Sequence, residues 1–116
     1  MLVSKNADVT ARMVRTVTGG SANMEFLIKP LIRGEDASLF EVHFPRGAAT
    51  TLQDDSHESL IYVVRGRLKA TIGDDACTLG PGDSCRLPRQ VAHSLEALEE
   101  LIYLEVKSSG PVPAQG

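Results

Sequence analysis

The sequence predicts an all-β fold in one domain, and three observations support this. Glycine and proline interrupt the chain at short intervals, the segments between them are rich in Val, Ile, Leu, Phe and Thr, and several segments alternate apolar and polar residues. Alternation with a period of two places one set of side chains on each face of a strand. The chain has 116 residues, which is a usual domain size and enough to bury one hydrophobic core.

Nine strands are predicted between these breakers. The alternation is clearest in the fifth, where Leu68, Ala70 and Ile72 share one face,. The segment from Leu95 to Leu104 also has apolar residues at helical spacing, but its β-rich surroundings favour strands. The predicted strands are Arg12–Val17, Glu25–Ile32, Leu39–Phe44, Leu60–Val64, Leu68–Ile72, Cys77–Leu79, Ser84–Leu87, Ser94–Ala97 and Leu101–Val106.

Two tight turns are predicted from glycine and proline. Gly66 separates the fourth and fifth strands, so it is expected to supply the positive φ of a hairpin,. The segment Leu79-Gly80-Pro81-Gly82-Asp83 forms the second turn, in which proline presets φ,. By strand parity Tyr62 and Tyr103 are expected to face outward or to lie at an interface. His43, beside Glu41, is expected to be a polar surface residue.

Charge and hydropathy exclude several functions. Twelve basic and 15 acidic residues give a net charge of −3, without a basic stretch, so nucleic acid is not an expected partner. The longest apolar run, Leu60 to Val64, is far shorter than the ~20 residues of a membrane helix. Met1 to Asp8 lacks the pattern of a secretory signal,. We therefore expect a cytoplasmic protein with no membrane partner.

The two cysteines are expected to be reduced thiols. Cys77 and Cys85 lack the C-x-x-C spacing of metal sites,, and disulfides are rare in the cytosol. They are therefore predicted to pack as small apolar residues. A disulfide across the turn between them is the alternative.

Two spaced motifs resemble those of the cupin superfamily. The first, G-x5-H-x-H-x3-E-x6-G, begins here at Gly47 and ends at Gly66. The second, G-x5-P-x-G-x2-H-x3-N, is matched by Gly82, Pro88 and His93. The chain is thus identified as a small single-domain, RmlC-like cupin, which implies a double-stranded β-helix, or jelly-roll, barrel. The resemblance further implies a barrel core over 38–107, an N-terminal arm of strands over 1–37 that serves a homodimer, and a flexible tail over 108–116.

The resemblance also locates the family's metal ligands, commonly three histidines and a carboxylate. These positions are Gln53, Asp55, Ser59 and His93, of which only His93 retains the family's residue. No tightly bound cofactor is therefore expected, although the Asp55 carboxylate is compatible with weak binding of a divalent metal. A register shift of two residues would instead bring together Asp55, His57 and His93 as a metal site.

The resemblance implies a pocket for a small organic molecule, and three functions remain open. The first is an enzyme of the isomerase, epimerase, cyclase or lyase type, with His93 as general acid or base and Asp55 orienting or balancing it. The second is a binding or sensor protein without catalysis, and the third is a metal-dependent oxygenase. The residues expected to bind the molecule are Gln53, Ser59, Ile61 and Val63.

Overall fold

The computed structural model describes residues 2–18, 22–50 and 56–109. In these ranges the chain forms nine strands and one short 3-10 helix, Asn6–Asp8. The strands are β1 (Arg12–Thr18), β2 (Ala22–Arg33), β3 (Ala37–Phe44), β4 (Ser59–Arg65), β5 (Leu68–Ile72), β6 (Asp75–Leu79), β7 (Ser84–Leu87), β8 (His93–Ala97) and β9 (Leu101–Ser108).

The predicted all-β class and the order of the strands are confirmed. β5 and β7 have the predicted bounds, and the other strands are longer, β2 most of all. The helical alternative for Leu95–Leu104 is wrong, because this segment contains the end of β8, a short turn and the start of β9. Within the described ranges no helix is long and apolar enough to cross a membrane.

The strands form two antiparallel sheets that enclose the core. The larger sheet has the order β1-β2-β3-β9-β4-β7 and the smaller sheet has the order β6-β5-β8. The buried cluster takes residues from both sheets, so the sheets pack face to face,. Its largest fully buried side chains are Phe44, Ile61, Leu68, Leu101, Val42 and Val63.

Strand register divides the inner face of the larger sheet into rows, because residues directly opposite on neighbouring strands share a face. At one end the rows are largely apolar. The third row contains Ile28, Val42, Tyr103 and Val63, and the fourth contains Phe44 and Leu101. This end supplies most of the larger sheet's share of the core.

The rows at the other end carry polar side chains. We name the outermost row the mouth row and the next one the second row. The mouth row contains Arg33, Ser38, Lys107, Ser59 and Leu87, and the second row contains Pro30, Phe40, Glu105, Ile61 and Cys85. A carboxylate therefore faces inward one row beneath the mouth of the barrel.

Tyr103 corrects one prediction about strand parity. Its side chain is only 3% exposed, whereas the sequence predicted that it faces outward. β9 lies between β3 and β4, and Tyr103 is opposite both Val42 and Val63, which belong to the core. Its ring also lies edge-on to Phe44, with ring centroids 5.7 Å apart. Tyr62 is 48% exposed, as predicted.

Both predicted turns are confirmed by their backbone angles. Gly66 connects β4 to β5 with a φ of +86°, and Gly82 has a φ of +89° in the turn before β7. An L side chain rarely adopts such angles. At Gly66 the backbone also passes close to Glu100, which makes this glycine the more constrained of the two.

The outer face of the larger sheet exposes apolar side chains on adjacent strands, including Leu60, Tyr62, Val64 and Val106.

The N-terminal segment is attached to this sheet by Asn6, which donates to Glu41 and accepts from Lys29. The N-terminal arm and the homodimer stay predictions. For the tail, β9 extends to Ser108, and residues 110–116 lie outside the described part of the chain.

Candidate functional site

Glu105 and Ser59 form the centre of the polar end of the barrel. Ser59 Oγ donates a hydrogen bond of 2.6 Å to Glu105 Oε2. Ser59 is only 5% exposed and Glu105 is half-buried, so the interaction lies within the interior. A hydrogen bond to a carboxylate is stronger than one between neutral groups. Ser59 therefore fixes one oxygen of the carboxylate in place.

Two further titratable groups surround this carboxylate. Burial, with smaller contributions from the nearby charges of Cys77 and Glu105, raises the pKa of Cys85 to about 11. Burial also raises the pKa of Tyr103 well above its ordinary value, with smaller contributions from Glu105 and Cys85. Glu105, Cys85 and Tyr103 therefore lie close enough to one another for their charges to interact.

Tyr103 is protonated at neutral pH, as an ordinary tyrosine is, and burial raises its pKa further above that range,. Among the described residues its hydroxyl has no hydrogen-bond partner, although most buried tyrosine hydroxyls have one. A ligand in the barrel that accepts a hydrogen bond would satisfy this buried donor. Tyr103 is therefore a candidate contact for a bound molecule.

His93 lies at the same end of the barrel as Ser59. Ser59 is opposite Leu87, the last residue of β7, and a loop over 88–92 connects Leu87 to His93 at the start of β8. His93 is 6% exposed, and its Nδ1 is 3.3 Å from the Val91 carbonyl oxygen. Because a carbonyl only accepts, Nδ1 carries the proton of the neutral imidazole. Nε2 then has the lone pair that can accept a proton.

The other predicted site residues have different outcomes. Ile61 and Val63 are 1% and 0% exposed within the core cluster, so they line the interior, and their contact with a ligand stays a prediction. Gln53 and Asp55 lie outside the described residues. The predicted pairing of Asp55 with His93 is therefore not described by the structure.

The residues at the family's metal positions do not fit its usual metal centre. The glutamate position holds Ser59, whose hydroxyl proton is directed to Glu105. A hydroxyl is a poor ligand for transition metals, and His93 is the one imidazole retained among the four positions,. Among the described residues no three or more His, Cys, Asp or Glu side chains are arranged to hold a metal ion. We derive no step through a metal.

His57, one member of the register-shifted alternative site, lies at the mouth of the barrel. It lines a cleft at the barrel mouth together with Lys107 and Ser108, and its Nδ1 is 3.4 Å from Ser56 Oγ. The third member of that alternative set, Asp55, is outside the described residues. The Asp55, His57 and His93 metal site therefore stays a prediction, as does weak binding of a divalent metal.

His43 lies on the opposite face of the sheet from this site. Its Nε2 is 2.7 Å from Glu41 Oε2. This hydrogen bond is the main cause of a lowered pKa at Glu41. The charges of His43 and Lys29 and a hydrogen bond from Asn6 also lower this pKa, whereas burial raises it. The outer face of the sheet thus carries its own polar pair, and the expectation that His43 sits beside Glu41 as a polar surface residue is confirmed.

The cysteines differ from one another. Both are free thiols, and Cys77 is exposed whereas Cys85 is half-buried. The prediction that Cys77 is buried is wrong because β6 is an edge strand of the smaller sheet, with no further strand beside it in the described part of the chain. Cys85 lies on the inner face opposite Ile61.

Iodoacetamide at pH 8 is expected to alkylate Cys77 at least about tenfold faster than Cys85, because the thiolate is the reactive form and the pKa of Cys85 is raised to about 11,. Partial burial of Cys85 acts in the same direction. Peptide mass spectrometry over a time course measures both rates. The difference should disappear in denaturant, and faster modification of Cys85 in the folded protein would contradict its interior position.

Comparison with known proteins places this chain in a family. The sequence pattern described as "Cupin domain" matches residues 40–107. The chain therefore belongs to the cupin superfamily, as the two motifs predicted. It has no significant match among curated protein sequences.

Solved structures share the fold at low sequence identity. An RmlC-like cupin from Shewanella frigidimarina has a TM-score of 0.78 and 20% identity, with 99% of this chain and 93% of that chain covered. KdgF from Halomonas sp. has a TM-score of 0.78 and 23% identity, with coverages of 94% and 95%. A predicted oxalate decarboxylase from Thermotoga maritima has a TM-score of 0.78 and 18% identity, with coverages of 92% and 98%. The jelly-roll architecture is thus confirmed.

Glu105 is the site residue that the sequence analysis missed. The family motifs direct attention to residues 47–66 and 82–97, and Glu105 lies beyond both. A signal was nevertheless present, because Leu101, Tyr103 and Glu105 alternate along the last strand. Placing Leu101 inside would have placed Glu105 inside as well.

Proposed function

We propose that this chain is an enzyme that transfers protons on a small organic molecule in the polar end of the barrel. The observation that carries the proposal is the Glu105 carboxylate, which faces inward and accepts a hydrogen bond from the buried Ser59. Isomerisation, epimerisation, cyclisation and elimination share such a step. The proposal rests on the Glu105 carboxylate, and the role of Asp55 stays a prediction.

Glu105 is suited to act as a general base. Its Oε2 is fixed by Ser59, and among the described residues Oε1 has no hydrogen-bond donor. In the proposed step Oε1 takes a proton from a carbon beside a carbonyl group, and the C–H electron pair moves toward the carbonyl oxygen as an enolate forms. The proton then returns to the same carbon or to another one.

Two neighbouring groups suit the rest of this reaction. The enolate oxygen needs a hydrogen-bond donor, and Tyr103 offers a buried hydroxyl whose pKa is raised, so that it remains a donor at neutral and mildly alkaline pH,. His93 offers Nε2 as a second site that can take up or deliver a proton,. Donors that are held in place before the reaction stabilise developing charge without further reorganisation.

The solved neighbours are compatible with this proposal. The Thermotoga maritima structure is described as a predicted oxalate decarboxylase. A further structure with the same fold, a deletion mutant of Bacillus subtilis oxalate decarboxylase, has a TM-score of 0.73, with 93% of this chain and 29% of that chain covered. Both descriptions concern chemistry on a small organic molecule. Their identities to this chain are 18% and 19%, so the particular reaction must be tested on this protein itself.

The test is hydrogen–deuterium exchange at carbon, followed by proton NMR in deuterated water. Small ketones and keto acids, such as acetone, pyruvate and levulinate, report abstraction of a proton beside a carbonyl group. We expect the protein to accelerate loss of the signal from these protons over buffer alone. Binding without any acceleration would contradict the proposal and favour a non-catalytic binding protein.

A further inference from the structure

We infer that the pocket takes an organic acid whose carboxylate is bound by Arg33 at the mouth of the barrel. This inference rests on the proposed function, because it names the class of substrate on which Glu105 would act. Glu105 itself is not among the described residues that line the cleft at the barrel mouth. It is based on the charge of the mouth row, on the cleft above this row, and on the distance from the mouth row to Glu105.

A cleft of about 560 Å³ opens at this end of the larger sheet. It combines basic, hydroxyl and apolar side chains, and none of the described residues that line it is acidic. Glu35 and Asp36, in the adjacent turn, are outside the lining and bind Ser109 through their backbone carbonyl oxygens. The polar lining residues are Arg33, Ser38, His57, Lys107, Ser108 and Ser109.

Arg33 is the best candidate to anchor an anion. Its side chain is exposed, and among the described residues its guanidinium has neither an ion-pair nor a hydrogen-bond partner. By contrast, Arg86 on β7 is paired with Glu58. A guanidinium presents two parallel N–H donors, which match the two oxygens of a carboxylate.

Lys107 adds a second positive charge in the same row. Ser38 lies between the two basic residues, opposite Arg33 on one side and Lys107 on the other. Neighbouring strands are about 4.8 Å apart, so the backbones of Arg33 and Lys107 are separated by two such spacings. An anion above Ser38 would therefore be within the field of both side chains.

The distance between rows limits the size of the acid. Lys107 and Glu105 are two residues apart on β9, which corresponds to about 7 Å along the strand. Glu105 is one strand away from Ser38 and one row beneath it, so an acid whose carboxylate lies above Ser38 would reach Glu105 with a carbon several bonds from that carboxylate,. A doubly charged phosphate would be repelled more strongly by the Glu105 carboxylate, which favours a carboxylate as the anion.

The test measures binding of pyruvate and levulinate, each beside its neutral methyl ester, by NMR titration. Arg33→Gln is expected to weaken binding of the better acid by about tenfold to a hundredfold, as for the loss of a charge-assisted contact. Arg46→Gln is the matched control, since Arg46 is an exposed arginine beyond the opposite end of β3. We expect this control to bind like the wild type.

Three results would overturn the inference: equal binding of acid and ester, no binding of either acid, and unchanged affinity in Arg33→Gln. Inorganic phosphate serves as a further probe, and tighter binding of phosphate than of both acids would also contradict a carboxylate site. Failure of the proposed function has a different signature. In that case the acid binds through Arg33, but its protons do not exchange. Conversely, if the protons of the ester exchange as fast as those of the acid, only the carboxylate inference is refuted.

Discussion

Replacing Glu105 with glutamine is expected to lower the rate of protein-catalysed proton exchange by about 10²–10⁴-fold, the usual contribution of a positioned general base. Glutamine has nearly the same shape, and its amide oxygen can still accept the hydrogen bond that Ser59 donates to Glu105,. It cannot take up a proton at neutral pH. The substitution should therefore slow proton exchange without lowering the stability of the fold.

The control for this change is Glu96→Gln. Glu96 is an exposed residue of β8, so this variant removes a carboxylate from the surface without altering the interior. NMR exchange rates, affinity for levulinate and thermal midpoints should be measured for both variants. We expect Glu105→Gln to retain its thermal midpoint to within a few degrees. An exchange rate equal to that of the wild type would remove Glu105 from the proposed role, and His93 would become the leading base.

The sequence predicted the fold well because the relevant signals are local. The alternation of Leu68 and Ala70 with polar neighbours corresponds to buried positions of β5. The glycine between β4 and β5 has the positive φ that its turn position predicted. Such patterns depend on a few consecutive residues, so they can be recognised without knowing the rest of the structure.

The centre of the site could be predicted only in part, because its decisive contact is between distant segments. Ser59 was identified from its motif position, but its partner is Glu105, 46 residues further along the chain. Their proximity depends on β4 pairing with β9, and sequence spacing does not specify which strands are neighbours. The face of β9 was also misassigned at Tyr103, so its carboxylate was not placed in the interior.

Gly66→Ala is expected to destabilise the protein by about 3–5 kcal/mol, more than a positive φ alone would cost. A Cβ atom built on Gly66 would lie 2.1 Å from the carbonyl oxygen of Glu100 and 3.1 Å from the Cα of Leu101. Both atoms belong to the backbone, so no flexible side chain can move aside. Leu101 is fully buried at the start of β9, and displacement of this backbone would disturb the core.

Gly47→Ala separates the two causes of this loss. Gly47 has the same φ of +86°, but a Cβ atom there would meet nothing within 4 Å. The free energy of unfolding of this variant should therefore fall only by what the left-handed conformation costs, about 1–2 kcal/mol. Urea unfolding of both variants measures the two free energies of unfolding. If Gly66→Ala were no less stable than Gly47→Ala, the close approach of the β4–β5 turn to Glu100 would be contradicted. A difference of about 2 kcal/mol or more would show that this approach excludes every side chain at position 66.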